Sequence, residues 1–257
     1  MKTAVITGAS SGLGVELLRA AVELCPDIDT FWLIARRRER LEALAAQFPG
    51  KTLRPVPLDL TDLSAVRTLE RLLEKEKPAL SLLINNAGFG LRGTLLDTDI
   101  AELDEQDRVL TGAVRELSLA AARRMRARGR GGIINVSSLA AVTTMGQYAA
   151  SKASTLVFTE ALAGELRGSP VTVTAVLPGF IRTEFHSRLG VERPGPGLIW
   201  LSVDQVVRES LRDARAGKVV SVPGWGYRLA ALVAPVVPRP LMRWGSTGFS
   251  FARTRDR

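Results

Sequence analysis

The segment Thr3-Ala-Val-Ile-Thr-Gly-Ala-Ser-Ser-Gly-Leu-Gly14 decides the fold of this chain of 257 residues. Its first five residues form a short apolar run that is typical of a buried strand. Gly8, Gly12 and Gly14 then permit a tight turn, and an amphipathic stretch near 13–24 predicts a helix that begins at this turn. In this order of strand, glycine turn and helix, the free N–H groups of the helix N-terminus can face the phosphates of a dinucleotide.

Strand-like and helix-like segments alternate through the rest of the chain. Further apolar runs predict strands at Phe31–Ala35, Leu53–Pro57, Leu80–Ile84, Gly132–Val136, Val171–Leu177 and Val219–Val222. Amphipathic stretches predict helices near 38–47, 62–76, 100–128, 147–167 and 203–215. The alternation predicts an α/β fold in which helices cover both faces of a parallel sheet. We expect one domain over 1–257, with a substrate loop at about 184–202 and a C-terminal segment at 223–257.

The composition excludes several classes of protein. The net charge is +9, but the arginines are spread over predicted helix faces without zinc-finger spacing or an RNA-binding aromatic signature, so no nucleic-acid partner is expected. Cys25 is the single cysteine, which excludes an intramolecular disulfide and suits the cytoplasm. His186 is the single histidine, and no cluster of Cys and His predicts a metal site. No window reaches the roughly 18 apolar residues of a membrane span.

Basic residues follow the second predicted strand. An acidic residue at this place would favour NAD, whereas arginine favours the 2′-phosphate of NADP. No Asp or Glu occurs between Asp29 and Glu39, and Arg36 and Arg37 end the strand, so NADP(H) is the predicted cofactor. The alternative is that these arginines are solvated charges at the start of a helix.

Tyr148-Ala-Ala-Ser-Lys152 is the second informative motif. Side chains four residues apart on a helix project from one face, so the ammonium of Lys152 can lie beside the phenol of Tyr148. A phenol has an ordinary pKa of about 10, and a nearby cation favours the phenolate. We therefore expect Lys152 to lower the pKa of Tyr148, which would make Tyr148 a proton donor and acceptor.

Four motifs together resemble the short-chain dehydrogenase/reductase family in order and approximate spacing. They are Thr7–Gly14, Asn85–Gly88, Tyr148–Lys152 and Pro178–Thr183, and the resemblance covers residues 1 to 185. It implies a Rossmann-type, doubly wound fold with a seven-stranded parallel sheet. It also implies an NADP(H)-dependent oxidoreductase that interconverts a ketone or aldehyde and an alcohol, commonly as a homodimer or homotetramer.

The same resemblance implies roles for individual residues. Tyr148 would be the general acid/base, Lys152 would hold the nicotinamide ribose, and Ser138 would hydrogen-bond the substrate oxygen. Asp59 would contact the adenine, and Pro178 and its neighbours would cradle the nicotinamide amide. The residues implied in cofactor binding are Gly8, Ser10, Ser11, Gly12, Leu13, Gly14, Arg36, Arg37, Asp59, Leu60, Asn86, Ala87, Gly88, Tyr148, Lys152, Pro178, Gly179, Ile181 and Thr183.

Two departures from the family pattern affect these roles. The family usually has a further asparagine in the long helix after Asn-Asn-Ala-Gly, where this chain has Leu110 or a neighbour. Ser138 precedes Tyr148 by 10 residues where the family usually shows 13, so the serine could be displaced or replaced in its role by Ser137. These departures support an alternative hypothesis, a non-catalytic NADP(H)-binding sensor or scaffold.

The predicted substrate contacts are apolar: Phe89, Leu91, Met145, Phe180, Phe185 and the segment to Trp200. They favour a lipophilic carbonyl compound. The segment 227–244 is also apolar and carries Arg228, Arg239 and Arg243, which permits weak peripheral contact with a membrane surface. The alternative for this segment is a helix and loop that close over the substrate site or form a subunit contact.

Overall fold

The computed structural model describes residues 2–75, 79–182 and 200–247. The strands are β1 (Thr3–Thr7), β2 (Thr30–Ala35), β3 (Thr52–Pro57), β4 (Leu80–Asn85), β5 (Gly131–Val136), β6 (Val171–Val176) and β7 (Val220–Ser221). The α-helices of the described residues are α1 (Leu13–Leu24), α2 (Arg38–Ala45), α3 (Leu63–Lys75), α4 (Ile100–Asp107), α5 (Ala113–Arg128), α6 (Gly146–Glu165), α7 (Val203–Arg215), α8 (Trp225–Val233) and α9 (Arg239–Thr247).

The strands form one parallel sheet in the order β3-β2-β1-β4-β5-β6-β7. β1 pairs with β2 on one side and with β4 on the other, so the chain reverses its direction of winding between β3 and β4. Open α/β sheets bind ligands at such a switch point, outside the carboxyl ends of the strands. The predicted Rossmann-type, doubly wound fold with seven parallel strands is confirmed.

Helices cover both faces of the sheet, as the continuous apolar strands predict. Neighbouring residues of β1 belong to different core clusters, because successive side chains of a strand point to opposite faces. Ile6 packs in the cluster with residues of α1, α2 and α7. Val5 packs in the cluster with residues of α3, α5 and α6. Both side chains have no exposed surface, which explains why this strand contains no alternation of polar and apolar residues.

The helix predicted near 100–128 is divided in two. α4 and α5 are separated by one wider, π-helical turn at Arg108–Gly112. Within that turn the carbonyl of Leu110 accepts a hydrogen bond of 2.7 Å from the hydroxyl of Thr155 in α6. The amphipathic pattern predicted one continuous helix, because a bond to a residue 45 positions away does not change the local spacing of apolar residues.

The C-terminal segment contributes two helices, where the alternative for 227–244 expected a helix and a loop. α8 begins after Gly224, a short 3-10 turn at Ala234–Val236 follows it, and α9 begins after Pro238. No helix in the described ranges is long and apolar enough to cross a bilayer. Most of the predicted substrate loop, including Phe185 and His186, lies outside the described residues.

Candidate active site

The glycine turn between β1 and α1 forms a cradle with no room for side chains. Gly8 has a φ of +67°, and a Cβ there would lie 2.7 Å from the Cα of Ala87. A Cβ on Gly14 would collide with the carbonyl oxygen of Gly8. Gly12, with a φ of +54°, precedes α1, so the N-terminus of that helix lies at the cavity beside the turn. This geometry fits the pyrophosphate of a dinucleotide, because backbone can approach it closely and the helix N-terminus favours negative charge.

The loop after β4 is bound directly to this turn. The amide of Asn86 donates to the carbonyls of Thr7 at 3.0 Å and Gly8 at 3.3 Å. In return the hydroxyl of Thr7 accepts from the backbone N–H groups of Asn86 and Ala87 at 2.9 and 3.0 Å. The segment Asn86–Gly88, which the resemblance implies in cofactor binding, therefore also fixes the shape of the glycine turn.

Arg37 lies across the outer side of the glycine turn. Its guanidinium donates to the hydroxyls of Ser10 and Ser11, each at 3.0 Å. Arg36 is mostly exposed, and its guanidinium lies 3.9 Å from the carboxylate of Asp59. One positive charge and two hydroxyls thus converge at the ends of β1 and β2. This arrangement has the donors that an additional phosphate on a ribose requires.

Ser138, Tyr148 and Lys152 lie together at the carboxyl end of β5. Tyr148 and Ser138 share a side-chain hydrogen bond. The ammonium nitrogen of Lys152 lies 5.8 Å from the centroid of the Tyr148 ring and donates to the carbonyl of Val136 at 2.7 Å. Tyr148 is in the first turn of α6, where the helix dipole favours an anionic side chain. The predicted grouping on one helix face is therefore present in the geometry.

The direction of the Tyr148 pKa shift differs from the one expected from the sequence. Burial raises the pKa of Tyr148 to about 12, and the hydrogen bond with Ser138 acts in the opposite direction. Burial of Lys152, which is 4% exposed, lowers the pKa of its ammonium to about 8. Desolvation acts on both groups because both side chains are buried, and it is the largest cause of each pKa shift.

The short connection between Ser138 and Tyr148 still brings the two side chains together. A 3-10 turn at Leu139–Val142 follows Ser138, whose hydroxyl accepts from the N–H of Ala140 at 3.1 Å. Gly146 then begins α6 with a φ of +67°, which lets the chain enter the helix two residues before Tyr148. The shorter loop is compensated by this abrupt helix start.

Ser137 and Ser138 have different surroundings. The hydroxyl of Ser137 is buried and donates to the backbone carbonyl of Lys152 at 2.7 Å. That bond holds α6 against the end of β5, whereas the hydroxyl of Ser138 bonds with Tyr148. Of the two serines, Ser138 therefore has the hydroxyl beside the candidate proton donor, and Ser137 has a positioning contact.

Leu110, at or next to the place of the family's helix asparagine, lies in the π-helical turn. Val109 lines the cavity, while Leu110 is fully buried. A Cβ on Gly88 would lie 2.8 Å from Leu110 and 3.7 Å from the Lys152 nitrogen, so these groups pack tightly behind the cavity. The side chain of Val109 cannot take part in a proton relay.

One cavity of about 580 Å³ contains nearly all of the predicted site residues. Its lining includes Gly8, Ser10, Ser11, Gly12, Leu13, Gly14, Arg36, Arg37, Asp59, Leu60, Asn86, Ala87, Gly88, Ser138, Tyr148, Lys152, Pro178, Gly179 and Ile181. Thr183 lies outside the described residues. Of the predicted substrate contacts Phe89, Met145 and Phe180 line the cavity. Leu91 and Trp200 do not line it. Trp200 is buried behind the wall, where the centroid of its ring lies 5.2 Å from that of Phe180.

Tyr227 of α8 also lines the cavity, and the sequence motifs did not identify it. Its hydroxyl accepts a hydrogen bond of 3.1 Å from the N–H of Phe180, and its ring packs directly over Gly179. A side chain on Gly179 would collide with this ring. The alternative for 227–244, a helix and loop that close over the substrate site, agrees with this contact, although it did not single out Tyr227.

Comparisons with known proteins agree with this geometry. The model of the short chain dehydrogenase family matches residues 2–193. An uncharacterized oxidoreductase of Myxococcus xanthus (strain DK1622) is 35% identical over 257 residues, covering 93% of this chain and 94% of that protein.

Two solved structures are similar over their whole length. A short-chain dehydrogenase from Sphingobium yanoikuyae in complex with NADPH is 28% identical with a TM-score of 0.81, covering 100% of this chain and 99% of that one. The bulky-bulky ketone specific alcohol dehydrogenase from Comamonas testosteroni is 26% identical with a TM-score of 0.77, covering 100% and 97%. Since the family model matches more than half of the chain and the fold agrees, this protein belongs to the short-chain dehydrogenase/reductase family of oxidoreductases.

Proposed function

We propose that this oxidoreductase reduces the carbonyl group of a lipophilic ketone or aldehyde to an alcohol, with NADPH as its cofactor. The observation that carries the proposal is the grouping of Ser138, Tyr148 and Lys152 in the same cavity as the glycine cradle. This combination joins a proton donor to a dinucleotide site. When bound, the cofactor supplies the hydride that the carbonyl carbon requires.

The residues that would hold the cofactor follow from their contacts. The cradle around Gly8, Gly12 and Gly14 would bind the pyrophosphate, and Asp59 and Leu60 would lie near the adenine. Arg37, with Ser10 and Ser11, supports NADPH over NADH because these donors suit a 2′-phosphate. Arg36 adds a second, more exposed charge at the same end of the site. Lys152, Gly179 and Ile181 would enclose the nicotinamide end.

Tyr148 is the proposed general acid. Its pKa of about 12 keeps the phenol protonated at neutral pH, which is the form that can donate a proton to the carbonyl oxygen. Ser138 would donate to the same oxygen and polarise the carbonyl. The tyrosinate left behind would be stabilised by the Lys152 ammonium and by the N-terminus of α6. The side chains of Val109 and Leu110 would offer no polar atom for a proton relay to Lys152.

The apolar wall of the cavity supports a lipophilic substrate. Phe89, Met145, Phe180 and Tyr227 line the cavity that contains Tyr148. A hydrophobic pocket with a few polar groups at the reacting centre is typical of a site for a small organic molecule. The name of the Comamonas testosteroni structure specifies bulky ketones, which agrees with this substrate class.

We also propose that the protein acts as a homodimer or homotetramer, which light scattering would test.

Thermal unfolding tests the choice of cofactor. NADPH at about a hundred times its dissociation constant adds about 2.7 kcal/mol of stability, or about 5–11 °C in Tm for a domain of this size. Arg37→Gln should reduce the NADPH-induced shift and weaken NADPH binding about 10- to 100-fold, the cost of losing charged hydrogen bonds. Arg40→Gln, in the first turn of α2 and outside the cavity lining, should keep the full shift. A larger shift with NADH than with NADPH would contradict the cofactor assignment.

Tyr148→Phe tests the chemistry separately. The variant should bind NADPH normally and lose about 10²- to 10⁴-fold in turnover, the range of a general acid. A panel of lipophilic ketones and aldehydes with NADPH oxidation as the readout would measure this loss. NADPH binding by the wild type without turnover of any panel member would favour the non-catalytic sensor instead. Full activity in Tyr148→Phe would refute the proposed mechanism.

A further inference from the structure

Helix α8 and the turn after it carry an apolar stripe that faces away from the protein. The stripe consists of Trp225, Leu229, Leu232 and Val236, at helical spacings of four, three and four residues. Their exposed fractions are 81%, 56%, 76% and 77%. Amphipathic helices of globular proteins normally turn such a stripe toward the core. Here the apolar side of the helix is the exposed one, which is typical of an interaction surface.

Helix α9 adds exposed groups of two kinds. Leu241 and Trp244 are 59% and 81% exposed. Arg239 and Arg243 are also exposed and lie one helical turn apart. The chain contains no Asp or Glu from 214 to 255, although it has basic residues throughout this segment. The exposed apolar side chains therefore lie in a part of the chain whose charged side chains are all basic.

Hydrogen bonds fix α8 in this orientation. The carboxylate of Glu209 in α7 accepts from the N–H of Gly224 at 3.1 Å and from the guanidinium of Arg228 at 2.6 Å. Arg228 also donates to the carbonyl of Val222 at 3.0 Å. Tyr227, on the inner side of the same helix, is bonded to Phe180. Arg228 thus has an internal partner, and the apolar stripe is held outward by the packing of the opposite side.

We propose that this C-terminal surface, formed by the apolar stripe with Leu241, Trp244, Arg239 and Arg243, binds the headgroup region of a bilayer that contains anionic lipid. Tryptophan is favoured at the boundary between headgroups and acyl chains, and leucine and valine gain free energy when they enter the boundary. Each arginine near an anionic surface adds roughly 1 kcal/mol. The net charge of +9 gives the whole protein a long-range attraction to such a surface.

Charge argues against a second copy of the chain as the partner. In a two-fold symmetric dimer the same surface meets itself. Such a contact would place the arginines of both protomers in one interface, and residues 214–255 offer no carboxylate to neutralise them. An anionic membrane satisfies both the apolar stripe and the arginines. The proposal concerns the surface alone and does not depend on the proposed catalytic function.

Co-sedimentation with lipid vesicles tests the proposal. The full chain should sediment with vesicles of phosphatidylcholine and phosphatidylglycerol, more weakly with phosphatidylcholine alone, and less as salt is raised. The double variant Trp225→Ser/Leu232→Ser should lose at least tenfold in binding to the mixed vesicles. Arg239→Gln/Arg243→Gln should lose roughly 10- to 30-fold, which corresponds to about 1 kcal/mol for each charge.

A matched control uses apolar residues that are equally exposed elsewhere. Leu96 is 97% and Ile100 is 70% exposed, and both lie far from α8 in the sequence. Leu96→Ser/Ile100→Ser should bind the vesicles like the wild type, and so should Tyr148→Phe. Absence of wild-type binding to either vesicle, or an equal loss in the control, would overturn the proposal. So would light scattering that shows a dimer reduced to a monomer by Trp225→Ser/Leu232→Ser. If Trp225→Ser/Leu232→Ser does not fold, vesicle binding by Arg239→Gln/Arg243→Gln still tests the proposal.

Discussion

At the scale of single residues, burial shifts the pKa values of Tyr148 and Lys152. The pKa of Tyr148 is raised to about 12 and that of Lys152 is lowered to about 8. Both shifts favour the neutral form, so the polypeptide holds a protonated phenol next to an ammonium that releases its proton easily. This pair suits proton delivery to a carbonyl, and we expect the reverse reaction, alcohol oxidation, to accelerate as pH rises because it requires the phenolate.

Lys152→Met should stabilise the protein at pH 7 while it abolishes activity. The folded pKa of Lys152 is about 8 and the unfolded pKa 10.5, so below pH 8 both states are charged and the folded state bears the full cost of burying the charge. Between pH 8 and 10.5 the folded state loses its proton first, and the wild type gains stability. Removing the charge should add on the order of 1–2 kcal/mol to the free energy of unfolding at pH 7, after the lost bond to Val136 is counted.

Urea unfolding of both proteins at pH 7 and at about pH 9.5 measures this effect. The stability difference between Lys152→Met and the wild type should shrink at the higher pH. A difference of the same size at both pH values would show that the ammonium is not desolvated in the folded state.

At the scale of elements, the start of α6 determines where Tyr148 lies. The sequence predicted this helix and the Tyr148–Lys152 face because both depend on local spacing. It could not predict how a connection of 10 residues would join Ser138 to Tyr148, since that depends on a 3-10 turn and on the positive φ of Gly146. The π-helical turn was missed for a similar reason, because its stabilising bond comes from Thr155 in another helix.

Gly146→Ala should destabilise the protein and lower kcat. A Cβ at Gly146 meets open space, so the cost comes only from the left-handed backbone and amounts to about 1–2 kcal/mol. Relief of that strain would move the first turn of α6 and the Tyr148 side chain within it. Shifts of about 1 Å at a reacting group can cost on the order of a hundredfold in rate.

Gly164→Ala is the matched control in the same helix. A Cβ there also meets open space, but the backbone has no positive φ. This variant should gain about 0.5–1 kcal/mol from the higher helix propensity of alanine and keep its kcat. Thermal unfolding and steady-state kinetics would distinguish the two variants. Wild-type stability in Gly146→Ala would show that the helix can begin elsewhere without strain.

At the scale of the whole molecule, the sheet brings residues that are distant in sequence to one edge. Strand positions were predictable because each buried strand is an apolar run bounded by glycine, proline or polar residues. The switch of winding at β1 and β4 then assembles the glycine turn, Arg37, Asn86 and Ser138 around one cavity. The sequence left closure of the C-terminal segment over the site as one of two alternatives, and it could not single out Tyr227, because that side chain reaches the site only through packing of α8 over the loop after β6.

Tyr227 tests whether this C-terminal helix supports catalysis. Tyr227→Phe keeps the ring over Gly179 but removes the acceptor for the N–H of Phe180, so we expect kcat/KM to fall about 3- to 10-fold, close to the value of one hydrogen bond. Tyr227→Ala also removes the ring, which should raise the KM for NADPH and enlarge the space open to bulky ketones. Steady-state kinetics with NADPH and ketone varied in turn would separate these effects. If both variants matched the wild type, α8 would serve only as the support of the C-terminal surface, and the loop at Gly179 would hold its shape without it.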